Sequence, residues 1–303
     1  MTQPAQSTQP RRGRRLLILL LLLVILVAIN LLYVPAVSWR SVVSGAPGDV
    51  LYAAGFDGFT DEWQQYEGRQ SAQISDGVLR LSIGDSDVIY SAADPYFADF
   101  DLSVTARAVE GDVNNAFGVV FRLLEPSDDC QMPLRIMCDV ADSSGLFGAG
   151  LNLLFRQPQE STGYYMFLIS SDGYYSVWRN SEEDQGGRAI STWIPREDII
   201  NTGLNAENRI RVVGTGNEYR FFINGTQVPL CIPDDPGGQS TYYSLTEECI
   251  QGQMLPVLED DTLPLGRVAL VVDSVSSLPG FTIEFDDLII TSPQESLEEA
   301  DQL

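Results

Sequence analysis

The stretch Arg209–Val228, RIRVVGTGNEYRFFINGTQV, decides the fold. Arg209–Gly214 and Glu218–Ile223 are short runs rich in β-branched and aromatic residues, and Asn224-Gly225 leads directly into Thr226–Val228. An Asn-Gly pair takes the left-handed positions of a two-residue hairpin turn at little cost, so the stretch reads as a series of antiparallel strands. The same rhythm extends in both directions. Upstream, Ala72–Ile74, Asp76-Gly77 and Val78–Ile83 read as a hairpin, and Val50–Phe56 and Val88–Ser91 as strands. Asp101–Val109 alternates, with Leu102, Val104, Ala106 and Ala108 on one face and Ser103, Thr105 and Arg107 on the other. Ala116–Leu124 reads as a more buried strand. Tyr164–Ser170, the turn Ser171-Asp172-Gly173 and Tyr174–Arg179 follow, and Gly266–Val272 and Phe281–Thr291 close the series. Outside the N-terminal apolar run, helical periodicity is confined to one turn near Ile194–Ile200. Many short strands with Gly and Asn turns predict an all-β, two-sheet antiparallel sandwich over residues 49–291.

Two irregular insertions interrupt the rhythm, 125–162 and 231–263; within the first, Gly148–Phe155 reads as one more strand. They hold all four cysteines, Cys130 and Cys138 in the first and Cys231 and Cys249 in the second. Four cysteines allow three pairings. Pairing within each insertion, Cys130–Cys138 and Cys231–Cys249, is favoured, and no C-x-x-C spacing supports a thiolate zinc site.

Ahead of the sandwich, Leu16–Val34 reads LLILLLLLVILVAINLLYV, with Asn30 the one strongly polar residue. At ~1.5 Å per residue this run is about 28 Å long as a helix, the thickness of a hydrocarbon core. Arg11, Arg12, Arg14 and Arg15 precede it and only Arg40 follows closely, which predicts a cytoplasmic tail 1–15, a single-pass anchor 16–34, a stalk 35–48 and an extracytoplasmic domain. The rival is a cleaved signal peptide, for which Ser44-Gly45-Ala46 offers a small-residue site. The lipid bilayer is therefore an expected partner through Leu16–Val34. The tail 292–303 is acidic.

The formal net charge is −24, and all 42 acidic residues follow residue 40. Such a surface repels nucleic acid and anionic lipid. The chain has no His, and its 18 basic residues are all Arg. That removes His-based nucleophilic triads, His-ligated zinc, Schiff-base lysines and the phosphate-loop lysine. Any catalysis would rest on carboxylates, Tyr or an oxygen-bound metal; no cofactor is required.

Several segments together resemble the concanavalin A-like lectin/glucanase jelly roll, and within it bacterial exported domains of laminin-G-like type. They are Phe56-Asp57-Gly58-Phe59 with Trp63, Ile74–Leu79, Tyr165–Val177, Asn208–Val212, Tyr219–Gly225 and Gly266–Leu288. The resemblance implies carbohydrate binding without catalysis, with carboxylate-dependent glycoside hydrolysis and a structural, protein-contacting envelope domain as alternatives. Retaining glucanases of this fold carry a Glu-x-Asp-x-(x-)Glu run on one strand. Here Glu284-Phe285-Asp286 starts the run, Asp287, Leu288 and Ile289 follow, and the final Glu is missing. Glu284 and Asp286 are thus expected to face outward, with Phe285 in the core. Family members also clamp a structural calcium between first and last strands, where Asp57 and Asp286 are the candidates. A glycan would stack on aromatic rings, and the candidates are Tyr174, Trp178 and Trp193, with Tyr243 further along the chain. Trp178 and Trp193 flank a polar loop, Asn180–Arg188. Trp63 is expected in the core, and Asn224-Gly225-Thr226 is both a glycosylation sequon and a hairpin turn.

Overall fold

The computed structural model describes residues 19–25, 42–58, 62–125, 162–182, 184, 186–274 and 280–294. The chain divides into two units, residues 1–40 with 127–159 and residues 41–126 with 160–303; of the first, only residues 19–25 are described. Those seven are helical, with apolar side chains 45–65% exposed. Among the described residues no helix is long and apolar enough to cross a membrane. The remainder of the expected span Leu16–Val34, the tail 1–15, residues 35–41 of the stalk, Cys130 and Cys138, the expected strand Gly148–Phe155 and residues 295–303 lie outside the described residues.

The second unit is nearly all β. Before the first insertion come β1 (Val42–Val43), β2 (Val50–Ala54), β3 (Gln70–Ser75), β4 (Val78–Ile83), β5 (Val88–Phe97), β6 (Phe100–Glu110) and β7 (Ala116–Leu124). After it come β8 (Gly163–Ser170), β9 (Tyr174–Ser181), β10 (Gly186–Pro195), β11 (Asn208–Thr215), β12 (Glu218–Ile223) and β13 (Thr226–Val228). The second insertion holds β14 (Leu230–Pro233), β15 (Tyr242–Tyr243), β16 (Glu248–Cys249), β17 (Gly252–Leu255) and β18 (Leu258–Glu259). Finally β19 (Gly266–Asp273) and β20 (Phe281–Thr291) return to the main sheets.

Among the described residues one sheet has seven strands in the order β1-β5-β19-β7-β8-β9-β10. The other, of nine, runs β13-β12-β11-β6-β20-β4-β3, with β18 beside β12 and β2 beside β20. The chain changes sheet from β1 to β2, β4 to β5, β5 to β6, β6 to β7, β10 to β11, β18 to β19 and β19 to β20, the alternation of a jelly roll. Period-two patterning explains the sandwich. Leu102, Val104, Ala106 and Ala108 of β6 point inward, as do Tyr165, Phe167 and Ile169 of β8. Rings from the two sheets interlock, Phe167 with Phe221 at 5.0 Å and Phe121 with Phe221 at 6.1 Å between centroids. Trp63 is 4% exposed and belongs to this core.

β7 departs from the alternation at Arg122. Its φ is 56°, and the pairing slips against β8 between Phe121 and Leu124 and against β19 between Arg267 and Ala269. Phe121 and Arg122 are therefore both buried at successive positions, with Arg122 1% exposed. The backbone presses so closely on β19 that a Cβ at Gly266 would collide with Arg122 and Leu123. The buried guanidinium donates to the Tyr219 hydroxyl at 3.1 Å and to the carbonyls of Pro264 at 2.5 Å, Gly216 at 3.0 Å and Phe97 at 3.4 Å. The Phe100 and Tyr219 rings lie 5.4 and 5.5 Å from its carbon. Carbonyl dipoles and ring faces, with no carboxylate among these contacts, surround this charge.

Two expectations change at the end of the seven-stranded sheet. Asn180–Arg188, read as a polar loop, is mostly hairpin: β9 reaches Ser181 and β10 starts at Gly186. The helical turn expected at Ile194–Ile200 starts later. Ile194 and Pro195 still belong to β10, and the Arg196 carbonyl accepts from Ile199 and Ile200. Arg179 ties this hairpin down through Asp184 and Asp260, both at 2.7 Å. In the second insertion Cys231 and Cys249 form a disulfide, the favoured pairing.

The outer face of the nine-stranded sheet is polar. Glu284 of β20 lies between Arg80 of β4 and Arg107 of β6, bonded at 2.5 and 2.7 Å. Burial alone would raise its pKa, but the hydrogen bonds from both arginines outweigh burial and hold the carboxyl below its usual range.

Arg122→Met should lower the unfolding free energy by about 3 kcal/mol or more in urea denaturation, because several charge-assisted hydrogen bonds vanish and their buried carbonyls are left unsatisfied. An unchanged midpoint would show that these contacts carry no stability. Glu284→Gln should cost about 1–3 kcal/mol at neutral pH. Because the folded pKa is depressed, this stability is present above the ordinary carboxylate range and lost as pH falls through the folded value. The gap between variant and wild type should therefore close on acidification; a pH-independent gap would contradict it.

Candidate functional site

The outer face of the seven-stranded sheet is apolar as well, although its inner face already supplies the core. Alternation along β8 sends Tyr164, Met166 and Leu168 outward, opposite Tyr165, Phe167 and Ile169. Neighbouring strands add Ala92 from β5, Ala269 and Val271 from β19, and Ala116, Val120 and Leu123 from β7. Four partly buried aromatic residues pack on this floor: Tyr90, Tyr164, Trp178 and Trp193. Cross-strand pairing orders the floor. One row runs Ala92, Ala269, Val120, Met166, Trp178, Ala189, and the next Tyr90, Val271, Gly118, Leu168, Ser176. At the centre of the second row a Cβ on Gly118 would collide with the Phe167 carbonyl, so the floor has no side chain there.

Polar groups fix the aromatic rings. The Tyr90 hydroxyl donates to Glu125 at 2.5 Å, and Arg267 donates to the other oxygen of Glu125 at 2.5 Å. Arg267 lies 6.0 Å from the Tyr96 ring. Burial, and then Glu125, push the Tyr90 phenol well above its ordinary pKa, so it remains a donor. The Tyr90 and Tyr164 rings are 6.3 Å apart, and Asn180 donates to the Tyr164 hydroxyl at 3.2 Å. The Trp178 indole N–H donates to Ser176 Oγ at 2.9 Å. Held this way, the rings offer flat apolar faces with hydroxyl and amide groups at their margins, the combination that suits a small polar ligand with an apolar side.

The sequence candidates fall unevenly on this face. Trp178 and Trp193 belong to the aromatic cluster. Tyr174, two positions before Ser176 on β9, pairs with Pro195 and faces the same way beyond the cluster. Tyr243 lies on β15 in the second insertion, off the main sheet, and is 47% exposed. Sequence reasoning passed over Tyr90, Glu125, Arg267 and Asp273. One signal was available for Asp273: it follows Ala269 and Val271 in period two, and it pairs with Ala116 of the outer cluster.

Each expected calcium donor makes a local turn contact. Asp57 is exposed and sits against the Asp76-Gly77 turn, where its carboxylate would meet a Cβ on Gly77. Asp286 accepts from the backbone N–H of Asp287 at 2.7 Å, a local turn contact. Calcium takes six to eight oxygens, and among the described residues no three acidic, Cys or His side chains gather as a metal site. The truncated glucanase run lies on the other sheet from the aromatic face. Phe285 is buried in the core, as expected, and both oxygens of Glu284 are taken by Arg80 and Arg107.

No protein-family model and no curated protein matches the chain. Among solved structures it is similar to a carbohydrate-binding module from Bacillus subtilis, at 10% identity and a TM-score of 0.44, over 76% of this chain and 96% of that one. It is also similar to a protein of unknown function with a galectin-like fold from Bacillus subtilis, at 12% identity and a TM-score of 0.48, over 82% and 99% of the two chains. A third is the beta-glucanase of Bacillus licheniformis, at 8% identity and a TM-score of 0.43, over 82% and 99%. These are concanavalin A-like jelly-roll structures, and at such identities the likeness is one of fold.

Proposed function

We propose that the chain is an extracytoplasmic glycan-binding module, tethered to a membrane by Leu16–Val34 and without a catalytic step of its own. One observation carries the reading: Tyr90, Tyr164, Trp178 and Trp193 gather on a sheet face that the core does not use. A sandwich needs one apolar face per sheet, and a second, lined by partly exposed rings, is surplus to folding. Pyranose rings have an apolar side of C–H groups that packs on an aromatic face, and their hydroxyls meet polar groups at the margin. Glu284 supports the non-catalytic part of the reading, because a carboxylate locked between two arginines is poorly placed to attack or to donate a proton. The tether rests on the length of the apolar run and on the arginines before it.

The test is binding of the detergent-solubilised full chain to laminarin, lichenan, cellohexaose, mannohexaose and galactan by calorimetry. One glycan class should bind saturably, and Trp178→Ala and Trp193→Ala should each weaken it about tenfold or more, roughly 1.4 kcal/mol per decade. Each variant should also melt somewhat lower, because its ring covers part of the apolar floor, so binding is compared at a temperature where all three proteins are folded. Undiminished affinity in both would remove the aromatic face as the site, and product release from the bound glycan would replace the non-catalytic reading with hydrolysis.

A further inference from the structure

Asp273 stands apart from every other shielded carboxylate in the described residues. Glu284 and Asp101 have arginine partners; Asp184 and Asp260 share Arg179. Glu125 has Tyr90 and Arg267, Asp172 has Ser170, and Asp286 has a backbone N–H. Asp85 and Glu218 pair with Arg69 and Arg220. Asp273 is partly buried too, yet among the described residues no side-chain or backbone donor is hydrogen-bonded to its carboxylate. Its oxygens are not among the sealed, partnerless polar atoms, so this carboxylate stays open to accept from water or from a ligand. Burial, then the charge of Asp87, push its pKa above the usual carboxylate range.

The position makes the omission informative. Asp273 pairs with Val88 on one side and with Ala116, a member of the outer cluster, on the other. Two residues earlier on the same strand, Val271 pairs with Tyr90 and with Gly118. The carboxylate therefore stands beside the bare centre of the floor. A carboxylate has two oxygens that accept side by side, which matches two vicinal hydroxyls of one sugar ring. Its charge, with Asp87 nearby, repels a ligand that brings its own carboxylate or sulfate.

We propose that Asp273 is the hydroxyl-accepting anchor of the aromatic face and makes it select neutral glycans over anionic ones. This rests on the glycan-binding reading above and adds to it a ligand class and the residue that sets it. Each neutral glycan of the panel would be compared with its C6-oxidised, uronate form, using the full chain, Asp273→Asn, Asp273→Ala and Trp178→Ala. The wild type should favour the neutral form about tenfold or more. Asp273→Ala should lose about tenfold in affinity for it, and Asp273→Asn should narrow the neutral-to-uronate ratio by a similar factor. Both Asp273 variants should melt at or above the wild-type temperature, since the lost charge had no partner. Trp178→Ala should weaken both glycan forms without changing their ratio.

If both Asp273 variants bind and discriminate like the wild type while Trp178→Ala weakens binding, the anchor is refuted and the aromatic site survives. Variants that melt well below the wild type would show Asp273 to be a structural acceptor and would also overturn the proposal. If neither Trp178 nor Asp273 matters, the site itself is elsewhere and both readings fall. A wild type that binds no neutral glycan rejects both as well.

Discussion

The guanidinium of Arg122 is the contact on which the rest of the sandwich turns. It is a buried cation whose N–H groups donate to carbonyls and a phenol, drawn from the end of β5, the β11–β12 turn, the start of β12 and the segment before β19. Those points belong to both sheets, so one side chain sets how the sheets close at that end. It also resets the strand that carries it. With Arg122 turned inward after Phe121, Leu123 falls on the outer face. The same shift of parity lets Glu125 reach Tyr90 and Arg267. A regular β7 would have pointed Glu125 at the core. The extra residue thus joins the packing of the interior to the layout of the candidate site.

That device explains what the sequence reveals and what it hides. The hairpins around Asp76-Gly77 and Asn224-Gly225 were legible because turn chemistry and period-two patterning are local properties. The strand order of the sheets follows from non-local pairing and is written in no single segment. β10 escaped notice because it begins with two glycines, and its pairing with β9 slips twice, so its pattern has no steady period. Arg122 reads in the sequence as one polar residue near the end of a buried strand. Nothing local reveals that it takes a left-handed conformation and turns into the core.

The site was legible to a similar extent. Trp178 and Trp193 stand out by type, and the structure places them in one cluster. Tyr90 and Tyr164 come from strands on opposite sides of β19 and β7, and only the assembled sheet brings their rings together. The Glu284-Phe285-Asp286 run shows the reverse case. Its face assignment was correct from alternation alone, but the two arginines that occupy Glu284 lie 204 and 177 residues away along the chain. Residue type and spacing show what chemistry is available; the cross-strand neighbours decide whether it is free for use.

The irregular β10 has a further effect, on how copies of the chain tolerate one another. Among the described residues it is the terminal strand of its sheet, so one row of its backbone groups faces away from β9, and the second insertion takes up part of that row, the Ser240 N–H donating to the Ala189 carbonyl at 3.4 Å. A straight edge of this kind is a template for another strand. The two slips in register, between Ala189 and Ser191 and between Ser191 and Ile194, break its straight run, and Pro195 at its end lacks an N–H. A second edge cannot follow such a contour for more than a few residues. Between the slips, the proline and the insertion, whose Cys231 N–H also bonds Ser191 Oγ at 3.0 Å, this edge offers a neighbouring molecule no long straight run on which to add a strand.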